Sequence, residues 1–170
     1  MDQKLGRKIT VGFSKAKGFK PFSWLIMWYG KTNFSHVYIK IDTRWNTKLI
    51  YQASGHMVNF MGSRYFDDIN KVVEEFELNI TENDYNKLME FCTYESGAPY
   101  SFKQIIGMVI ADIFKLKKNP FSSQNKYVCS ELVLKAFNDR FKVQNDFFDL
   151  AKPRDIYYLV KGLKNDISTL

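Results

Sequence analysis

Hydrophobic positions in this chain recur with period two in some stretches and with period 3.6 in others, which predicts a mixed sheet-and-helix domain. Residues Ser35-His36-Val37-Tyr38-Ile39-Lys40-Ile41-Asp42 alternate strictly. They predict a strand with Val37, Ile39 and Ile41 on one face and His36, Tyr38 and Lys40 on the other. That phase puts His36, at the strand's start, off the hydrophobic face and free for chemistry. A turn at 44–48 leads to Leu49-Ile50-Tyr51-Gln52-Ala53 as a hairpin partner, and Ser54-Gly55 breaks it before a further strand over 56–60. Residues 9–13 predict a short strand. Residues 72–80 predict an acidic one that buries Phe76, Leu78 and Ile80 and exposes Glu75, Glu77 and Asn79.

Helical spacing takes over elsewhere. Residues 22–30 predict a short apolar helix closed by Gly30. Thr81-Glu82-Asn83-Asp84 is a capping-box-like start for a helix with Tyr85, Leu88, Met89 and Cys92 on one face, ended by Ser96-Gly97-Ala98-Pro99. A second helix runs from Tyr100 to about Lys115 and an exposed loop from there to Pro120. A loop over 119–125 then leads into Tyr127-Val128-Cys129-Ser130-Glu131-Leu132-Val133. The helix begins near Val128 or Cys129, with Leu132, Val133, Ala136 and Phe137 inward and Glu131, Lys135 and Asp139 outward. Residues 152–160 turn into a last strand or short helix. With no internal repeat or low-complexity linker, residues 1–170 read as a single α+β domain, an antiparallel sheet packed against helices.

Composition narrows this picture. A chain of 170 residues can bury a core without covalent staples, and its two cysteines are too few for a disulfide scaffold. No Cys/His group has zinc-ligand spacing, so no metal or cofactor is expected. The N-terminus lacks a signal-peptide pattern, which predicts a cytoplasmic protein by default, or one delivered by lysis or by a phage particle. The longest apolar run, residues 105–111, stops at Asp112, short of the roughly 20 residues of a bilayer span.

The net charge of +7 is uneven. Residues 1–20 carry six cations, Lys4 among them, against Asp2, and residues 67–95 carry nine acids against Lys71 and Lys87. Residues 96–126 are basic again. The basic start, with Phe19, Phe22, Trp24 and Trp28 beside it, suits an anionic wall polymer or phospholipid surface. No nucleic-acid-binding signature accompanies the charge.

Candidate chemistry centres on Cys129. A thiol in a first helical turn lies near unpaired backbone N–H groups and the positive end of the helix dipole, which favour the thiolate. Cys92, at a mid-helix apolar position, reads as a small hydrophobe. Thiol chemistry needs a base and a polar group to orient it. His36 is the first candidate base, and Gln52, on the next strand, the candidate orienter. His56 follows Gly55 and is the weaker base.

This order resembles the circularly permuted branch of the NlpC-type, papain-like cysteine peptidases and amidases, the YiiX-like group, in which the histidine strand precedes the cysteine helix. Residues 35–39 look like its histidine strand, and Ile50-Tyr51-Gln52-Ala53 with Gly55 like the strand carrying the third catalytic residue. Ala98-Pro99-Tyr100-Ser101 is similar to its "PYD-like" segment, Cys129-Ser130-Glu131-Leu132-Val133 to its nucleophile helix, and Lys152-Pro153-Arg154-Asp155-Ile156-Tyr157 to its C-terminal landmark. The likeness runs from about residue 9 to about 160.

The resemblance implies a permuted papain-like fold, with Cys129 as nucleophile, His36 as base and Gln52 as third residue. The reaction implied is cleavage of an amide bond, in a cell-wall peptide first of all, through a thioester. Backbone N–H groups at the helix start would meet the oxyanion, with Tyr100 or Tyr127 as helper, and Glu131 would contact substrate. Related folds imply two alternatives: a lipid-directed acyl hydrolase or acyltransferase, and a non-catalytic binding or structural relative. Ser101 stands where aspartate is usual and Gln52 where an acid is common. An amide can accept the imidazole N–H bond but cannot stabilise imidazolium as a carboxylate does.

Overall fold

The computed structural model describes residues 6–43, 45–123, 125–138 and 145–167; Lys4, Arg44, Gln124 and Asp139 lie outside them. Its alternating segments form β1 (Arg7–Ala16), β2 (His36–Asp42), β3 (Lys48–Ser54), β4 (Met57–Gly62) and β5 (Asn70–Ile80). They make one antiparallel sheet in the order β4-β3-β2-β1-β5. Asn46 and Gly55 supply the positive φ that the β2–β3 and β3–β4 connections need, at 56° and 66°.

One face carries the main core. Ile9, Val11, Phe13, Val37, Ile39, Ile41, Phe76 and Leu78 are all buried there. The face is covered by α3 (Glu82–Glu95), α5 (Cys129–Ala136) and α6 (Pro153–Ile167), which contribute Leu88, Cys92, Leu132, Val133, Ile156 and Val160. Two further helices, α1 (Pro21–Gly30) and α4 (Phe102–Ile113), pack against each other through Leu25, Ile26, Tyr29, Ile105 and Met108. The α+β class, the sheet and the helices over 82–95 and 102–113 agree with the alternation and spacing of the chain.

Three expectations need correcting. The segment after Pro153 is neither strand nor short; it is the helix α6, whose first turn is closed by the Lys152 N–H donating to the Asp155 carboxylate at 2.9 Å. The opposite sheet face is not open, because an unexpected helix, α2 (Ser63–Ile69), lays Phe66 over Tyr38 and Ile50. Tyr38 is therefore fully buried, and the face that carries His36 is partly covered. Finally, α5 is not half-exposed: every residue from Cys129 to Leu134 is buried.

The buried Tyr38 spans three strands. Its register partner on β1 is Gly12, and the partner of Gly12 on β5 is Glu75. The ring crosses Gly12 so closely that a Cβ there would stand 2.2 Å from its Cζ. Passing over that gap, the hydroxyl donates to Glu75 at 2.6 Å, and Lys40 pairs with the same carboxylate. Burial, then the bond to Glu75, push the phenol's pKa upward.

The charge asymmetry has a partly structural origin. Basic β1 runs beside acidic β5, with Lys8 3.6 Å from Glu77, and Arg7 bonds Glu82 at the start of α3 through two nitrogens at 2.8 and 3.2 Å.

Gly12→Ala should therefore cost about 1–3 kcal/mol, the usual range for overpacking, read as a lowered urea midpoint. An unchanged midpoint would show that Tyr38 does not depend on the space above Gly12.

Candidate active site

The first residue of β2 and the middle of β3 are brought together by the hairpin. His36 Nε2 lies 2.8 Å from Gln52 Oε1. Gln52 is buried at 1% exposure, and its amide nitrogen donates to the Met61 sulfur at 3.6 Å. With its N–H directed at Met61, the amide presents only its oxygen to the ring. The imidazole must then carry its proton on Nε2, which leaves Nδ1 with a free lone pair. Tyr38 and Phe66 flank the imidazole, each with its ring centroid 6.3 Å away. This wall is the one α2 creates. Burial holds His36 down to about 4, with the Gln52 bond opposing.

Cys129 is the first residue of α5, and Val128, in extended conformation, precedes it as the N-cap. No side chain caps this end. The N–H groups of Val37, of Ser130 and of Cys129 itself point at the sulfur and favour the thiolate. Burial is the larger effect and pushes the thiol up to about 11. The helix start thus does not produce a low-pKa thiol, as the sequence suggests it should: desolvation outweighs the dipole. Val37 follows His36 directly, so the sulfur meets β2 one residue from the imidazole. No hydrogen bond joins sulfur and imidazole among the described residues. At neutral pH the resting site holds a thiol and a neutral imidazole.

Tyr100, part-buried, stands against Cys129 in the wall of a small cavity shared with Ile26, Tyr29, Ile105, Met108 and Val128. Burial and the proximity of the thiol raise its pKa well above the ordinary value. The cavity encloses about 20 Å³, room for about one water, and its walls are almost wholly apolar. Lys152 closes one side, its ammonium 2.7 Å from Asp112 and 4.3 Å from the centroid of the Tyr29 ring.

The other candidates fall outside this centre. Tyr127 is buried with the Lys135 ammonium 4.7 Å from its ring centroid, and Glu95 acts on its hydroxyl, which burial holds in the neutral form. Glu131 is neither solvated nor free for substrate: Lys135 holds it at 2.9 Å and the Gln104 amide donates to it at 3.0 Å. Burial raises its pKa against those two partners. His56 is exposed at the β3–β4 turn, where its carbonyl accepts from the Tyr100 N–H at 2.9 Å. Cys92 is sealed in the core of α3. Ser101 caps α4, accepting from the Gln104 N–H at 3.4 Å, a structural role that serine fills as aspartate would. Sequence reasoning missed Lys152 and the apolar residues around Cys129, whose approach depends on how α1, α4 and α6 pack.

A larger cleft of about 620 Å³ lies between α3 and the far end of α5, reaching Asn138. It touches none of the candidate site residues, though Lys135, the partner of Glu131, lines it.

No protein-family model matches the chain, and no curated protein matches it. Among solved structures, the metalloprotein yiiX (DUF1105) from Escherichia coli O157:H7 is similar at a TM-score of 0.54 and 18% identity. The match covers 83% of this chain and 68% of that one. The fold is YiiX-like. At that identity the likeness extends to the fold alone. That neighbour is described as a metalloprotein; among the described residues of this chain no three His, Cys, Asp or Glu side chains gather as ligands. The donor set of the described residues does not fit a metal.

The neutral imidazole makes a prediction about pH. A histidine in the unfolded chain binds its proton near 6.5, whereas folded His36 resists it to about 4. The unfolded state thus gains protons first, so stability is intact above about pH 6.5 and falls as pH drops toward 4. Urea midpoints should fall between pH 7.5 and pH 5, and His36→Gln should shrink that difference. An equal difference in both proteins would show that His36 titrates normally.

Proposed function

We propose that this chain is a cysteine hydrolase of the permuted papain-like type, cleaving an amide or related acyl bond through a thioester on Cys129. The observation that carries this reading is the orientation of His36: Gln52 Oε1 fixes its Nε2–H and leaves Nδ1 basic, one residue from where β2 meets the sulfur. Nε2–H bonded to an acceptor, with Nδ1 open, is the arrangement a thiol's base requires.

The chemistry runs from a neutral pair. As Cys129 Sγ bonds to the carbonyl carbon, its proton passes to His36 Nδ1. Sulfur and ring must close up for this, as catalytic hydrogen bonds commonly do once substrate is bound. Charge develops on the carbonyl oxygen beside the helix-start N–H groups, with the Tyr100 hydroxyl as a nearby donor. The leaving amine takes the proton from His36 as its bond to carbon breaks. Water then attacks the thioester, His36 accepting its proton and returning it to sulfur as the carboxylic acid leaves. Gln52 orients the ring throughout but supplies no negative charge to the imidazolium, which limits the rate.

The lining at Cys129 bears on the acyl group. A cell-wall peptide calls for an open polar groove; the thiol here borders apolar walls of Ile26, Ile105, Met108 and Val128. Those walls favour an apolar acyl group, as in the lipid-directed reading. The non-catalytic alternative draws on a different observation, the burial of the thiol at 3% exposure without a bond to His36.

One assay separates them. Activated acyl esters and amides of increasing chain length should add one acyl mass to the protein, on the peptide bearing Cys129, and hydroxylamine should remove it. Cys129→Ala should give no adduct, and His36→Ala should acylate about 10²–10⁴-fold more slowly. Absence of an adduct on folded protein with every chain length would favour the non-catalytic relative.

A further inference from the structure

Helices α1 and α4 are mostly apolar, yet much of that apolar surface stays exposed. On α1, Ile26 and Tyr29 line the cavity beside Cys129 and Leu25 packs on the cluster of Ile105, Met108 and Val128, while Trp24 and Trp28 stack on each other in solvent at 55% and 65% exposure. On α4, Gln104, Ile105, Gly107, Met108 and Ala111 point inward. The opposite stripe carries Phe102, Ile106 and Ile113, all exposed, and Phe114 and Leu116 extend it into the following loop. The two helices run side by side in the same direction. Phe22 meets Phe102 at 4.9 Å near their starts, and the Tyr29 hydroxyl donates to the Met108 carbonyl at 3.0 Å further along. The paired helices thus expose Trp24 and Trp28 on α1 and the Phe102, Ile106 and Ile113 stripe on α4. A surface of this kind on a chain otherwise normally polar marks a binding face.

Charge decides what it binds. Lys20 and Lys31 bracket α1, Lys103 sits in the first turn of α4, and Lys115, Lys117 and Lys118 follow its end, all exposed. The acid of this region, Asp112, is paired with Lys152. A second copy of this basic face would repel the first. A wall polymer would call for hydrogen-bonding side chains among the aromatics, and the surface offers tryptophan, phenylalanine, isoleucine and leucine instead. Tryptophan at the edge of an apolar stripe, ringed by lysine, matches the boundary between headgroups and acyl chains of an anionic bilayer.

We propose that the α1–α4 face is a membrane-docking surface, which seats the protein on anionic phospholipid with Trp24 and Trp28 in the interface. Neither helix crosses the bilayer; among the described residues no helix is long and apolar enough to do so. Because the same two helices wall the cavity at Cys129, docking brings acyl chains to the outer side of that wall. Docking stands on its own observations; only delivery of an acyl group to the thiol rests on the hydrolase reading above.

The test is co-sedimentation with phosphatidylcholine–phosphatidylglycerol vesicles against phosphatidylcholine alone. Wild type should bind the anionic vesicles and lose binding as salt rises. The double variant Trp24→Ser/Trp28→Ser, altered only at exposed positions, should bind at least about tenfold more weakly. Replacing Lys115, Lys117 and Lys118 with Gln should weaken binding by about fivefold per lysine. Trp45→Ser, in the β2–β3 turn, should bind as wild type. The proposal is overturned if wild type does not sediment with anionic vesicles, if the tryptophan pair makes no difference, or if the protein sediments with purified anionic wall polymer but not with vesicles. Acylation of Cys129 by soluble esters without vesicle binding would remove docking and leave the hydrolase standing. Vesicle binding without acylation would do the reverse.

Discussion

The burial of α5 is the constraint on which the rest of this structure depends. Eight residues long, it is pressed between the main sheet face and the elements around α4 and α6, with no solvated side from Cys129 to Leu134. A helix in that position must satisfy every polar group it carries. Glu131 is answered by Lys135 and Gln104, and the Ser130 hydroxyl donates to the Ala151 carbonyl at 2.5 Å. Asn119 secures the layer outside by donating to the carbonyls of Gln104 and Asp149, in space that Gly107 leaves open. The thiol at the helix start is the group for which burial works against charge. Its neighbours favour the thiolate, and its surroundings suppress it.

The same principle, applied to the histidine, gives a site whose two reactive groups rest uncharged. A dry pocket makes a standing ion pair expensive but strengthens any dipole aimed at charge that forms during reaction. The N–H groups around the sulfur and the fixed amide of Gln52 are such dipoles. The proposed chemistry therefore depends on proton transfer and attack occurring together.

Most of the sheet was legible because alternation encodes it. Residues 35–42, 49–53 and 72–80 show the period, and Thr81 announces its helix by capping. What was illegible follows from one omission. The seven residues of α2 have no capping side chain and a single buried anchor, Phe66, too little for a periodic signal. Without α2, the face of β2 bearing His36 and Tyr38 looked open to water. The misplacement of Glu131 has a related cause, since spacing shows which side of a helix is apolar but not that both sides are covered. The His36–Gln52 contact could be anticipated from hairpin order alone. The apolar lining of Cys129 could not, because it comes from four separate segments.

The central claim is that Cys129 and His36 act as a pair although the thiol is buried and the imidazole half-buried. The direct measurement is the rate of alkylation of each cysteine by a small apolar maleimide at neutral pH, resolved by peptide mass spectrometry, in wild type and His36→Ala. The account predicts that Cys129 reacts well ahead of the core thiol Cys92, and that the His36→Ala substitution removes most of that advantage while the protein remains folded. If both cysteines react only as fast as the protein unfolds, or if Cys129 reacts equally fast without His36, the pair does not exist.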